Sequence, residues 1–377
     1  MSKQPHRDKV LSSLDELAGA GLVNADPRLE AVEQSFAVGL TRTLARQIGS
    51  RSGEDRPDPV ALQFIPAVEE LEVAAEELTD PIGDAARSPV PGIVHRYPDR
   101  ALLKVTHLCT VYCRFCFRRE LIGSNADAPL TPAQLDAALT YIDRTPELWE
   151  VILTGGDPLA LSNRRLRDIV ERLAAVPHLK VLRIHTRIPV ADPARIDAEL
   201  IELLTLPGLT AVIAIHANHA QEFGSEARGA VARLANAGIT LRSQTVLLRG
   251  INDSVETLAE LMRTFVELRI SPYLLHHPDL ARGTSHFRVS LAEGQALLRA
   301  LRGRFSGLCQ PDYVIDLPGG FGKVPVSPGY EGRDGEGNPV LTDYQGDTHP
   351  LPPNAQGNTD EAAAPQRRRG SVRQRSR

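Results

Sequence analysis

From residue 101 the chain alternates short β-rich runs with amphipathic stretches, and this alternation constrains the fold more than any other feature. The β-rich runs are ALLKVT (101–106), EVILT (150–154), KVLRIHT (180–186), LTAVIAIH (209–216), ITLRSQTVLL (239–248) and ISPYLLH (270–276). Apolar residues at helical spacing follow each of them, in TPAQLDAALTYIDR, SNRRLRDIVERLAAV, PARIDAELIELLT, ARGAVARLANAG, SVETLAELMRTFVEL and SLAEGQALLRALRGRF. Gly238, after Ala235, Asn236 and Ala237, supplies a helix stop. Parallel strands need crossovers of this kind, with the helices packed outside the sheet. The pattern predicts an α/β fold, a (β/α)6 partial TIM-type barrel rather than a closed eight-unit barrel. An open doubly wound sheet shows the same alternation. In either case the active groups gather at the C-terminal ends of the strands.

The flanks differ. Residues 1–90 read as an N-terminal helical region: SLDELAGAG and LEAVEQSFAVGLTRTLARQIG carry helical spacing, broken by RSGEDRPDP. Residues 91–305 hold the barrel units, and 306–350 a glycine-rich extension that includes YVIDLPGGFGKVPV. The remainder, 351–377, is low-complexity and ends QRRRGSVRQRSR, read as a solvated disordered tail rather than a nucleic-acid arm. A net charge of -4 gives no reason to expect a nucleic-acid or membrane partner. No apolar run approaches the roughly 18 residues of a membrane helix. The first residues show no secretory signal, so the expected location is cytoplasmic.

Four cysteines are present, three of them within eight residues. Spread, even-numbered cysteines would indicate disulfides; three clustered thiols indicate a metal or redox site. Cys109, Cys113 and Cys116 form a C-x3-C-x2-C loop in HLCTVYCRFCFRRE, directly after the first of the six strands. Iron–sulfur clusters are normally held by four thiolates, so three leave one iron open to a chelating ligand. Tyr112, Phe115 and Phe117 would shield such a cluster, and Arg114, Arg118 and Arg119 would offset its charge or grip an anion. Zinc is the competing reading, with His107 as a fourth ligand, although this spacing is not a usual zinc pattern. Cys309 stays outside the site as a buried thiol.

Two glycine-rich segments add to this. LTGGDPL (153–159) ends the second strand, where Gly155 and Gly156 let backbone approach a ligand and Asp157 is placed to accept from an ammonium. DLPGGFGKVP (316–325) is not a P-loop, since Val324 follows Lys323, but a lysine in such a loop suits a Schiff base with pyridoxal phosphate.

The cysteine loop carries the signature of the radical S-adenosylmethionine superfamily. With the lysine loop, the chain resembles the lysine 2,3-aminomutase family from about residue 80 to 345. That resemblance implies a [4Fe–4S] cluster on the three cysteines, and S-adenosyl-L-methionine chelated to the open iron near Gly155, Gly156, Asp157, His216 and Gln244. It implies pyridoxal 5′-phosphate on Lys323, with Arg96, Tyr97 and Arg100 at its phosphate and ring. Arg118 matches the position that binds the substrate carboxylate, and Asp279 with Asp316 the pair that binds the distal ammonium of L-lysine. The implied reaction converts L-lysine to β-lysine through a 5′-deoxyadenosyl radical, with an electron donor such as flavodoxin or ferredoxin. Family members commonly associate, so a homo-oligomer is compatible with the resemblance.

Some features depart from the family. FRR after Cys116 and His276 before Asp279 are similar to relatives that prepare β-lysine for elongation factor P. The C-terminal cysteines that some members use for zinc are missing, and Phe321 interrupts an otherwise all-glycine run. An aminomutase for another amino acid, or an iron–sulfur electron carrier, are the remaining alternatives.

Overall fold

The computed structural model describes residues 9–24, 26–49, 57–122 and 130–351. Nine strands form one sheet: β1 (Ile93–Tyr97), β2 (Arg100–Thr106), β3 (Glu150–Gly155), β4 (Val181–Thr186), β5 (Thr210–His216), β6 (Thr240–Val246), β7 (Ser271–His276), β8 (Asp312–Leu317) and β9 (Gly322–Pro325). They lie in sequential order across the sheet. Strands β2 to β8 run parallel, while β1 and β9 pair antiparallel at the two edges. The six expected strand–helix units are therefore present as a partial TIM-type barrel, extended by a seventh parallel strand and an edge strand on each side.

Burial explains why these segments hold their form. Leu103, Leu153, Ile184, Ile213 and Leu241 on the strands pack against Ile142, Leu166, Leu203, Val231 and Phe265 on the helices, all within one apolar core. Helix starts are capped locally: Thr131 and Ser290 form capping boxes with Gln134 and Glu293, and Ser162, Asp197 and Ser254 accept from backbone N–H groups. Gly238 ends the helix Ser225–Asn236 at φ 78, a left-handed conformation that suits glycine. Cys309 is buried in this core, away from the other thiols.

The N-terminal region departs from its helical reading. The expected run from 29 to 49 breaks after the helix Pro27–Ser35, and Leu40–Thr41 pairs antiparallel with Val10–Leu11 before a short helix, Arg42–Ala45. Tertiary contacts override propensity here. The Gly39 carbonyl accepts from Tyr112 N at 2.9 Å, and the Ala37 carbonyl from Arg114 Nη1 at 2.7 Å. A Cβ on Gly39 would lie 2.6 Å from the Tyr112 ring, so the extended stretch seats the cysteine loop.

The division of the chain also differs from the sequence boundary at 305/306. One compact unit runs to Pro328, because β8 and β9 belong to the barrel sheet; a second begins at Gly329. That second unit holds a three-stranded antiparallel sheet, Glu331–Arg333, Pro339–Thr342 and Thr348–Pro350. Its turns are tied by Asp334 and Asp343, each accepting from two backbone N–H groups. The basic tail, 352–377, lies outside the described residues. Among the described residues no helix is long and apolar enough to cross a membrane.

Candidate active site

The C-terminal ends of the strands surround a cavity of about 380 Å³. Cys109, Cys113 and Cys116 line one part of it and Lys323 and Asp316 another, with Asp279 near enough to Cys116 for its charge to act on that thiol. Of the remaining sequence-predicted residues, Arg96, Tyr97, Arg100, Arg118, Gly155, Gly156, Asp157, His216 and Gln244 also line it. One space thus gathers residues from across the chain.

At the cysteine end, the loop after β2 is pinned to the GGDP turn after β3. Thr106 O accepts from Gly156 N at 2.6 Å and Leu108 O from Asp157 N at 2.8 Å. A Cβ on Gly156 would stand 2.1 Å from Leu108 O, so the glycine is required for the two loops to touch. Asp157 corrects the simple reading of a free acceptor. Its buried carboxylate accepts from Thr186 Oγ1 (2.7 and 2.9 Å), Arg187 N (2.7 Å) and Leu159 N (3.0 Å), and so organises the turn itself.

Burial pushes all three thiols up, Cys113 to about 11 with Arg187 opposing the rise. Arg187 Nη1 donates to Cys113 Sγ at 3.2 Å, and its Nη2 to Gln63 Oε1 at 2.8 Å beside Glu222. Among the described residues no three His, Cys, Asp or Glu side chains close around a single-ion position. A cubane cluster asks for a different arrangement, because each thiolate binds its own iron. Three half-buried thiols on one cavity wall fit that demand. Close by, His216 Nε2 is buried without a hydrogen-bond partner, and burial keeps this imidazole neutral, a polar atom fitted to meet a ligand.

The arginines around the cysteines divide. Arg114 and Arg119 point away from the cavity, into a buried ion pair with Glu70, and Arg119 also stacks on Phe36. They lock the cysteine loop onto the N-terminal region and do not grip an anion in the cavity. Arg118 alone of the three reaches it. Phe115 and Phe117 line the cavity as expected, whereas Tyr112 packs on Gly39.

At the opposite end, Lys323 on β9 faces Asp316 on β8 in the sheet register. The Lys323 N–H donates to the Tyr97 hydroxyl at 2.7 Å, so it points away from β8 and leaves the two side chains on adjoining positions. Lys323 Nζ lies 3.0 and 2.9 Å from the two Asp316 oxygens. His276 Nδ1 is 3.7 Å from the same carboxylate and Arg96 Nη1 3.6 Å. Burial alone would raise Asp316, but His276 and Lys323 hold it well below the usual carboxylate range. Asp279 goes the other way, pushed up to about 7 by burial and by the charge of Asp316. The guanidinium of Arg100 stacks on the Tyr97 ring at 3.9 Å and pairs with Asp99.

These residues fit pyridoxal phosphate: an amine beside a carboxylate, an aromatic ring, and Arg96 with a buried unpartnered Nε. Sequence reasoning missed three contributors. Asp84 pairs with both Arg96 and Arg118, Arg187 touches Cys113, and His185 lines the cavity with a buried Nε2. The last two sit in HTR, at the C-terminal end of β4, where barrel position alone could have flagged them. Asp84 lies in a loop with no periodic signal.

Cysteine loop, glycine turn and barrel together define the class: the Radical SAM superfamily model matches residues 103–262, and the Lysine-2,3-aminomutase model residues 298–369. The L-lysine 2,3-aminomutase of Fusobacterium nucleatum is 42% identical over 288 residues, spanning 76% of this chain and 67% of that protein. That of Clostridium subterminale is 41% identical over 292 residues, 78% of this chain and 70% of that protein. The Escherichia coli L-lysine 2,3-aminomutase is 35% identical over 320 residues, 84% and 92% of the two chains. The chain belongs to the lysine 2,3-aminomutase family.

Proposed function

We propose that the protein is an L-lysine 2,3-aminomutase, moving the amino group of L-lysine from C2 to C3 to give β-lysine. The observation that carries this reading is the juxtaposition of Lys323, Asp316 and Asp279 with three half-buried thiols in one cavity. In this reading Cys109, Cys113 and Cys116 hold a [4Fe–4S] cluster whose open iron takes S-adenosyl-L-methionine, and Lys323 holds pyridoxal 5′-phosphate. When bound, the cluster and S-adenosyl-L-methionine supply a carbon radical, and pyridoxal phosphate an electron sink.

The chain's own residues supply position and exclusion of water. Arg118 presents a planar fork to the substrate carboxylate. Asp316 and Asp279 take the distal ammonium. The contact of Lys323 Nζ with Asp316 supports this, because it places an alkylammonium against that carboxylate at 2.9 Å. Once Lys323 is committed to the cofactor, the same place is open to the ammonium of the substrate. Arg96, Tyr97 and Arg100 form the phosphate and ring wall, while Phe115, Phe117, Ile82 and Leu248 keep the interior apolar. His216 and Gln244, adjacent in register on β5 and β6, face the adenosyl side.

The reaction needs a one-electron donor such as flavodoxin or ferredoxin, and reduced thiols suit the cytoplasm. The test is an anaerobic assay of the reconstituted protein with L-lysine, S-adenosylmethionine, pyridoxal phosphate and reductant. β-Lysine is the expected product; lysine recovered unchanged while another amino acid rearranges would overturn the substrate assignment. Borohydride trapping separates an aminomutase, which fixes pyridoxal phosphate on Lys323, from an electron carrier, which does not.

A further inference from the structure

The segment 80–87 lies upstream of the barrel, yet it sets one carboxylate behind the cavity wall. Asp84 is buried. Its Oδ1 accepts from Arg96 Nη2 at 2.8 Å, and its Oδ2 from Arg118 Nε at 3.0 Å and Nη2 at 2.9 Å. Lys104 Nζ stands 3.9 Å from the same Oδ2. Three basic side chains thus face one carboxylate. Arg96 has a second carboxylate, Asp316, at 3.6 Å, whereas Arg118 is paired with Asp84 alone; buried positive charge of this kind favours incoming anions. Both arginines line the cavity, and Asp84 holds one with each oxygen.

The loop that presents Asp84 is itself fixed. The Asp80 carboxylate accepts from Asp84 N and Ala85 N, each at 2.9 Å. Gly83, at φ 68, presses on the lysine loop so tightly that a Cβ would fall 2.3 Å from Gly320 N. Arg87 Nε donates to Gly320 O at 3.1 Å. The carboxylate is therefore anchored to the turn that leads into Lys323.

We infer that Asp84 is a positioning residue for two anion sites at once: its two oxygens orient Arg96 toward a phosphate and Arg118 toward a carboxylate. The inference rests on the proposed function for the identity of those anions, the cofactor phosphate and the carboxylate of the amino-acid substrate. Asp84 touches neither. Its role is to turn two flexible cations into fixed forks, which matters for ligands that must be held in one pose and not for a small symmetric anion.

The experiment compares Asp84→Asn and Asp84→Glu with the unaltered protein in three measurements: inorganic phosphate affinity of the cofactor-free protein, pyridoxal phosphate capture at Lys323, and KM and kcat for L-lysine. Asp84→Asn removes a negative charge from among three cations. It should bind inorganic phosphate at least as tightly as the unaltered protein. Its lysine KM should rise ~10–100-fold, as for lost hydrogen bonds between charged groups, with a smaller change in kcat. Pyridoxal phosphate capture should weaken in parallel. Asp84→Glu keeps the charge and should recover most of the lysine KM. An Asp84→Asn variant with unaltered KM overturns the inference. So does parallel weakening of phosphate, cofactor and lysine in both variants, because that pattern belongs to packing. If the unaltered protein leaves lysine unchanged, the proposed function fails, while the contrast between phosphate and pyridoxal phosphate still decides the role of Asp84.

Discussion

The two ends of the cavity are built on opposite plans. At one end, three thiols come from a single eight-residue loop, and their geometry is a property of local backbone pinned by Gly156 and Gly39. In the other part, Asp84, Arg96, Asp316 and Lys323 arrive from distant segments and hold one another by charge, and Arg118 joins them from beside Cys116. The first kind of site is all-or-none: each thiol has no substitute. The second is graded, since its two central carboxylates, Asp84 and Asp316, each face three basic side chains, so that the loss of one cation is shared among the rest.

The largest expected effect tests the all-or-none end. Cys113→Ala should lose its iron and bring turnover to background; a variant that retains full iron content and activity would remove the basis of the contrast. Asp316→Asn comes next. It leaves the distal ammonium of the substrate facing a neutral amide in a buried setting, a change worth ~3–5 kcal/mol, so lysine KM should rise by about two to three orders of magnitude in steady-state assays.

Asp279→Asn should be milder and dependent on pH. Burial and Asp316 raise Asp279 to about 7, against the pull of Lys323, Arg118 and Arg96. Its proton therefore leaves as pH rises through about 7, and the lysine KM of the unaltered protein should fall across that range. In Asp279→Asn the step should flatten, leaving KM about tenfold higher on the alkaline side and little changed on the acid side, as befits one charge-assisted contact. A KM step of unaltered size in the variant would assign the titration to another group. The smallest effect is expected for Phe321→Ala. Phe321 is 73% exposed, so its removal should shift unfolding by no more than ~0.5 kcal/mol and leave turnover alone, which a thermal melt and an assay will show.

The same contrast explains what could be read from the sequence. The six strand–helix units and the cysteine loop were legible because periodicity and spacing are local signals. The antiparallel edge β1 was not read, being a short strand in a segment that resembles a turn. For Arg114 and Arg119 only part of the expectation is legible: the charge of Arg119 does act on Cys116, but nearness to cysteines says nothing about direction, and Glu70, far back in the chain, draws both guanidinium groups away from an anion in the cavity. Asp84 carried no pattern at all. Its meaning exists only once the barrel brings Arg96 and Arg118 to it. The N-terminal run lost its helix at the point where it had to receive Tyr112.

One consequence follows from where the sheet ends. Its two antiparallel edges, β1 and β9, meet where the Tyr97 hydroxyl accepts from Lys323 N. A ladder of backbone bonds opens as a cooperative block, but a single bond of this kind yields at about 1 kcal/mol. The Lys323 amide should accordingly exchange its proton faster than Ile184 in the middle of the sheet. The barrel thus keeps stiff staves in the middle of its sheet and places its loosest seam at Lys323, the residue proposed to hold pyridoxal phosphate.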